Sequence, residues 1–200
     1  MKPTFEEICE LREEWEGTLS PAEYRQRMLA QVEAMAVGDP GRAELLECLA
    51  SDAGEPVTER TVELAEAAIA DGGPTTVDPR VELVRAFSLL GREDEADALV
   101  RELMRARSRN DVMVGLHTRL GEVLEMIDRP KDAQRAYTIG LKDFDPDLDE
   151  PDIDESLCLT GRYRVRRLLA LGHDGFDRCL EQLSPRAASA IQERTTDGQA

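Results

Sequence analysis

The apolar residues of this chain recur with the period of an α-helix, and this pattern constrains its fold more than any other feature. They fall three or four positions apart along three successive stretches: Val81, Leu83, Val84, Phe87 and Leu90; Ala96, Leu99, Val100, Leu103 and Met104; Leu116, Leu120, Val123, Leu124 and Ile127. Strict alternation, which is typical of half-buried strands, occurs nowhere over a comparable length. The sequence therefore predicts an all-α fold of roughly ten helices joined by short turns.

Helix starts are marked by side chains that can cap them. Thr4-x-x-Glu7 and Ser20-x-x-Glu23 fit the capping box, in which two side chains satisfy the first free N–H groups of a helix. Four predicted helix starts have an acceptor side chain directly before a proline, which suits the first helical position: Ser20, Asp39, Asp78 and Ser184. The stretch DGGPTTVDP, residues 71–79, predicts a break after an N-terminal helical part.

The length of 200 residues suits one ordinary domain. We expect a single all-helical domain over 1–200, and its parts follow the helical pattern: divergent N-terminal helices at 1–72, two helical hairpins at 79–146, an acidic linker at 143–156, and a degenerate C-terminal hairpin and helix at 157–196. No run of 18 apolar residues and no apolar stretch near the N-terminus is present. We therefore expect no membrane span and no secretory signal, and a cytoplasmic protein.

The formal net charge is −17, and it is unevenly distributed. Residues 1–70 carry 16 acids against 6 bases, and residues 143–156 carry 8 acids and no base. Such a chain repels nucleic acid and favours cationic partners. We therefore expect no direct contact with nucleic acid.

Residues that could carry catalysis are scarce. The four cysteines form no CxxC pair, and only His117 and His173 could serve as imidazole ligands or bases. No phosphate-binding glycine loop, zinc-protease motif or serine-hydrolase motif occurs. The sequence thus predicts no enzyme, no catalytic residue, no metal and no cofactor, and it predicts that the thiols are reduced and packed in the core.

The stretch DFDPDLDEPDID, residues 143–154, superficially resembles a calcium loop. That loop needs a glycine at its sixth position and a glutamate at its twelfth, but Leu148 and Asp154 occupy these positions. Because Pro146 and Pro151 also stiffen the chain, the pattern favours an extended linker. We expect this linker to lie near the basic helix that follows and to neutralise it in part.

Two segments repeat one arrangement, in which a turn residue is followed five positions later by an alanine. Gly91 precedes Ala96 in this way, and Asp128 precedes Ala133. The segment HTRLGEVLEMIDRPKDAQRAYTIGL, residues 117–141, resembles the tetratricopeptide repeat family: its motif positions are Leu120, Gly121, Leu124, Ala133 and Tyr137. The earlier segment is a weaker copy, and a third, residues 169–183, has Asp177 in place of the alanine. Ala96 and Ala133 lie 37 residues apart, whereas the family period is about 34.

The resemblance implies an α-α superhelix of stacked hairpins that binds a protein or peptide in a groove. It places Arg85, Arg119, Arg162 and Arg166 at or near that groove, as partner-binding residues for an acidic peptide segment. An arginine-coated helix balancing nearby acids is the simpler interpretation of the same residues. Two other functions stay open: an acidic mimic of nucleic acid that binds a basic partner, and a metal-dependent enzyme without recognisable motifs. A homodimer also stays open.

Overall fold

The computed structural model describes residues 4–52, 56–105 and 115–185. Within them the chain forms ten helices and no strand, which confirms the all-α prediction. Their bounds are α1 Phe5–Thr18, α2 Pro21–Ala34, α3 Arg42–Ser51, α4 Glu59–Asp71, α5 Pro79–Leu89, α6 Glu93–Leu103, α7 Leu116–Met126, α8 Pro130–Gly140, α9 Ile153–Leu168 and α10 Gly175–Leu183. In the described part of the chain, every helix is too short or too polar to cross a bilayer.

The helices form two compact units, residues 1–106 and 107–200. In the first unit, each helix from α1 to α5 packs against the one that follows it, and α3 also touches α5. The second unit repeats this scheme, since each helix from α7 to α9 packs against the one that follows it and α7 also touches α9. The predicted pair of hairpins at 79–146 is therefore divided between the units. Both the superhelix and the single domain over 1–200 stay predictions.

The first unit is built around α3, of which every residue from Ala43 to Ala50 is buried. Helix α1 approaches it closely through Ile8. A Cβ atom at Gly41 would lie 2.6 Å from the Cβ of Ile8, and Gly41 also has a φ of +81°, so both space and backbone require glycine. The predicted helix start at Asp39-Pro40 is wrong by two residues, because the Asp39 carboxylate instead accepts from the Ala36 N–H.

Tyr137 is the centre of the core in the second unit. Its ring lies between two glycines, and a Cβ atom added to Gly121 or Gly161 would approach the ring to 2.5 or 2.4 Å. The Tyr137 hydroxyl donates to the Glu125 carboxylate over 2.6 Å. Ala133 is fully buried on the same helix, as the sequence predicts. The repeat motif therefore corresponds to a real steric fit between α7, α8 and α9.

One turn geometry joins the helices of three hairpins, α5–α6, α7–α8 and α9–α10. The residue after the C-cap is left-handed in each: Gly91, Asp128 and Ala170, with φ of 75°, 57° and 52°. The next N–H then donates to a carbonyl five residues earlier, over 2.7 to 3.0 Å. This is the Schellman arrangement, in which glycine is the preferred residue. Two of the three turns thus hold a residue whose side chain strains the backbone.

The acidic stretch is less extended than predicted. Helix α9 begins at Ile153, because Asp152 caps it and forms a capping box with Glu155. Before it, the N–H groups of Leu148 and Asp149 both donate to the carbonyl of Asp145, which closes a turn. The expected linker over 143–156 therefore ends at residue 152, and short-range hydrogen bonds to aspartates outweigh charge repulsion within it.

Candidate functional site

Two of the four arginines predicted to bind a partner are buried. Arg85 and Arg162 are only 9% and 4% exposed. The Arg85 guanidinium donates to Glu82 over 2.7 Å and to the carbonyl of Ala50 over 2.9 Å. These bonds connect α5 to the C-terminal end of α3. The role of Arg85 that the contacts show is structural, and its partner-binding role stays a prediction.

Arg162 and Arg166 share one internal cluster with two aspartates at the start of α10: Asp174, which is its N-cap, and Asp177 in its first turn. Arg162 bonds Asp174 over 2.5 Å and Asp177 over 3.3 Å, and Arg166 bonds Asp177 over 3.1 Å. Burial alone would raise the pKa of Asp174, but the hydrogen bond from Arg162 and the neighbouring positive charges lower it below its ordinary value. The cluster fixes α10 against α9. Its sequence signal is the pattern Asp174-x-x-Asp177, which also forms a capping box.

Within the described residues, the acidic stretch forms no ion pair with the basic helix, so the prediction that it neutralises this helix by direct contact is wrong. Arg164 pairs with Glu125 over 2.6 Å, and Arg167 lies 3.6 Å from Glu181. Within the described residues, the ion pairs of Arg162, Arg164, Arg166 and Arg167 all go to acids outside 143–156. Arg119 is the most exposed of the four arginines implied by the repeat, and it contacts Glu122 over 3.2 Å. Apart from Asp143, which lies 3.5 Å from Lys142, the carboxylates of the stretch form no ion pair in the part of the chain that the structure describes.

An acidic cleft of about 270 Å³ opens where the start of α7, the end of α8 and the start of α9 meet. It lies wholly within the second unit. Its lining combines one base with four acids and two buried polar side chains: Gly115, Leu116, His117, Thr118, Ile139, Gly140, Lys142, Asp143, Asp152, Asp154, Glu155 and Cys158. The cleft therefore has a strongly negative rim.

The floor of the acidic cleft holds a thiol in its neutral form. Cys158 lies 3.0 Å from the Thr118 hydroxyl, and burial raises the pKa of the Cys158 thiol to about 11. Burial, and then the charge of Lys142, lowers the pKa of His117. The Nε2 atom of His117 is buried and has no hydrogen-bond partner among the described residues. A nucleophilic cysteine needs a lowered pKa and a bonded base, and this arrangement offers neither.

Of the four acids of the cleft, Asp143 lies beside Lys142, and Asp152 and Glu155 form the capping box of α9. Asp154 is the acid that has neither of these roles. Within the described part of the chain, no lysine or arginine forms an ion pair with it, since Lys142 lies 3.5 Å from Asp143 instead. Burial, and then the charge of Asp152, raises the pKa of Asp154 above its ordinary value. The carboxylate would therefore gain from a positive group brought in from outside.

An apolar patch adjoins the cleft on the outer face of α9. We define it as Pro151, Ile153 and Leu157, of which Ile153 is 80% and Leu157 49% exposed. These side chains line a shallow depression of about 400 Å³ together with Asp152, Ser156 and Thr160. Asp152 lines both the patch and the acidic cleft. The sequence signal for the patch is the spacing of four between Ile153 and Leu157, directly after the capping residue.

A second group of polar side chains lies inside the first unit. The ligand atoms of Glu44, Glu47 and Cys48 fall within 4.8 Å of one another, which would suit a metal ion by distance alone. However, Thr76 already donates twice to Glu44, over 2.7 and 2.9 Å, and Arg12 approaches Glu44 to 3.8 Å. Burial and then the two glutamates raise the pKa of the Cys48 thiol. Protein donors therefore already occupy Glu44, and Arg12 also donates to the Cys48 sulfur over 3.4 Å.

Comparison with known proteins adds no relative. No protein-family model, no curated protein and no solved structure matches the chain. The resemblance to tetratricopeptide repeats is therefore supported only by the motif residues of the chain itself.

Proposed function

We propose that this protein is a non-catalytic interaction module that binds a polypeptide through the apolar patch beside the acidic cleft. The observation that supports this function is the exposure of two large aliphatic side chains, Ile153 and Leu157, on one face of α9. Burying such a side chain fully stabilises a complex by about 1.5–3 kcal/mol. Ile153 is the first residue of α9 and is 80% exposed, so it buries little surface within the fold.

The position of the patch also supports binding. The capping box of Asp152 and Glu155 holds the first turn of α9 in place, so the patch is presented on a rigid element. The resemblance to a repeat family whose members bind polypeptides agrees with this function. The groove arginines support the binding of an acidic peptide less well, because Arg85 and Arg162 are committed to internal ion pairs.

The chemistry of the acidic cleft supports the absence of catalysis. Its thiol has a raised pKa, and its imidazole has a lowered pKa and no bonded nucleophile among the described residues. The cleft therefore lacks the activated group that acyl transfer or hydrolysis requires.

Affinity capture from cells that produce the protein tests the proposal. The wild-type chain and the variant Ile153→Ser/Leu157→Ser should be compared, with Leu183→Ser as a matched control because Leu183 is 52% exposed on α10. We expect a polypeptide that the wild type and the control retain and the double variant loses. Equal recovery by all three proteins would contradict binding through this patch.

A further inference from the structure

The surface around the apolar patch indicates what kind of polypeptide it binds. Eight acids and no base occupy residues 143–156, and the patch lies at the end of this run. Asp147, Asp149 and Glu150 are exposed. The apolar patch is thus bordered by exposed negative charges.

Resting on the proposed function, we infer that the partner segment is a basic amphipathic one, whose apolar side chains cover Ile153 and Leu157 and one of whose lysines or arginines enters the acidic cleft at Asp154. The cleft and the patch share Asp152, so one bound segment reaches both. Asp154 has no cationic partner within the described residues, and Lys142 is already beside Asp143. An entering cation would relieve the repulsion between Asp154 and Asp152.

The negative charge around the patch disfavours two other occupants. A second copy of this chain would bring two sets of like charges together, which is unfavourable. An anionic membrane surface would be repelled for the same reason. A basic segment instead gains apolar contact from the patch, together with orientation and a faster encounter from the acids.

Binding of synthetic helical peptides to the full chain tests this inference. Two peptides of about 18 residues, or five helical turns, would share one leucine pattern and differ only in carrying lysine or glutamate at every polar position. Titration calorimetry at low and at high salt should show that the lysine peptide binds and that salt weakens it. Sedimentation of the protein alone reports self-association.

Matched variants separate this site from general attraction to an acidic protein. Asp147→Asn/Glu150→Gln/Asp154→Asn removes three charges at the site, and Glu6→Gln/Glu10→Gln/Glu13→Gln removes three exposed charges from α1. We expect the first variant to weaken binding of the lysine peptide about tenfold and the second to change its affinity less than about twofold. Ile153→Ser/Leu157→Ser should weaken it at least tenfold, since buried aliphatic anchors dominate binding.

The outcomes distinguish this inference from the proposed function. If the glutamate peptide binds the patch as tightly as the lysine peptide, the patch is a binding site but the inference of a basic partner is wrong. If the two triple variants weaken binding equally, the acids of this site confer no preference and the inference is likewise overturned. If Ile153→Ser/Leu157→Ser changes the affinity for neither peptide, both the basic partner and the proposed function are contradicted. The same holds if the protein sediments as a dimer and this double variant sediments as a monomer.

Discussion

The substitution Asp177→Ala tests whether the arginines of α9 hold the fold together. It would restore the residue type that the repeat pattern favours, yet we expect it to destabilise the protein. The Asp177 side chain is 5% exposed and accepts from Arg162 over 3.3 Å, from Arg166 over 3.1 Å and from the Asp174 N–H over 3.2 Å. Removing it leaves the guanidiniums of Arg162 and Arg166 with Asp174 as their one carboxylate partner in the described part of the chain.

The magnitude follows from burial. Breaking a buried ion pair by deleting one partner costs about 3–5 kcal/mol. Because Asp174 keeps its bond to Arg162, we expect the lower part of that range, and the lost capping bond adds about 1 kcal/mol. The expected loss is therefore about 3–4 kcal/mol, a large share of the roughly 5–15 kcal/mol that stabilises a typical domain.

Urea unfolding followed by far-UV circular dichroism measures this loss. Asp132→Ala is the matched control, because Asp132 is also the third residue of a helix and pairs with an arginine, but its side chain is 37% exposed. We expect the control to cost about 0–1 kcal/mol. Adding Arg162→Met/Arg166→Met to Asp177→Ala should recover most of the loss, since an apolar replacement removes the stranded charges. Equal effects of Asp177→Ala and Asp132→Ala would refute the structural role of the cluster.

Three further substitutions have definite expected outcomes. Ala133→Leu should overpack the fully buried contact of α8 and destabilise the protein by about 1–3 kcal/mol in the same urea assay, and an unchanged midpoint would contradict the hairpin packing. Ala170→Gly should stabilise it by about 0.5–1 kcal/mol because residue 170 has a φ of 52°, whereas Leu169→Gly, at a φ of −82°, should not. The lowered pKa of His117 means that the unfolded chain binds a proton more readily, so stability present above about pH 6.5 is lost as the pH falls below it. His117→Gln should flatten that part of the stability profile, and an unchanged profile would contradict the burial of His117.

Much of the local structure could be predicted because it depends on residues close together in sequence. The capping boxes of Thr4 with Glu7 and of Ser20 with Glu23 both form as expected. The helical period likewise identified the buried faces, and Ala133 lies where the repeat placed it. Such features follow from backbone geometry within one or two turns.

The roles of the charged residues could not be predicted in the same way. Arg164 finds its partner Glu125 39 residues away, and Arg162 finds Asp174 across a turn. These pairs exist only after the helices pack, so an arginine that a helical pattern places in a groove can equally be buried in the fold. The start of α9 was missed although Asp152-x-x-Glu155 fits a capping box, because the run of acids around it suggested an extended chain.

Site-specific photo-crosslinking in cells tests the central claim most directly. A photoreactive amino acid would replace Leu157 in the apolar patch, and the same group would replace Leu183 on α10 as a control of similar exposure. We predict an adduct from position 157 with a polypeptide other than this chain, mapped to a segment rich in lysine or arginine, that position 183 does not give. Adducts of equal yield from both positions, or an adduct from position 157 with a second copy of this chain alone, would contradict the claim.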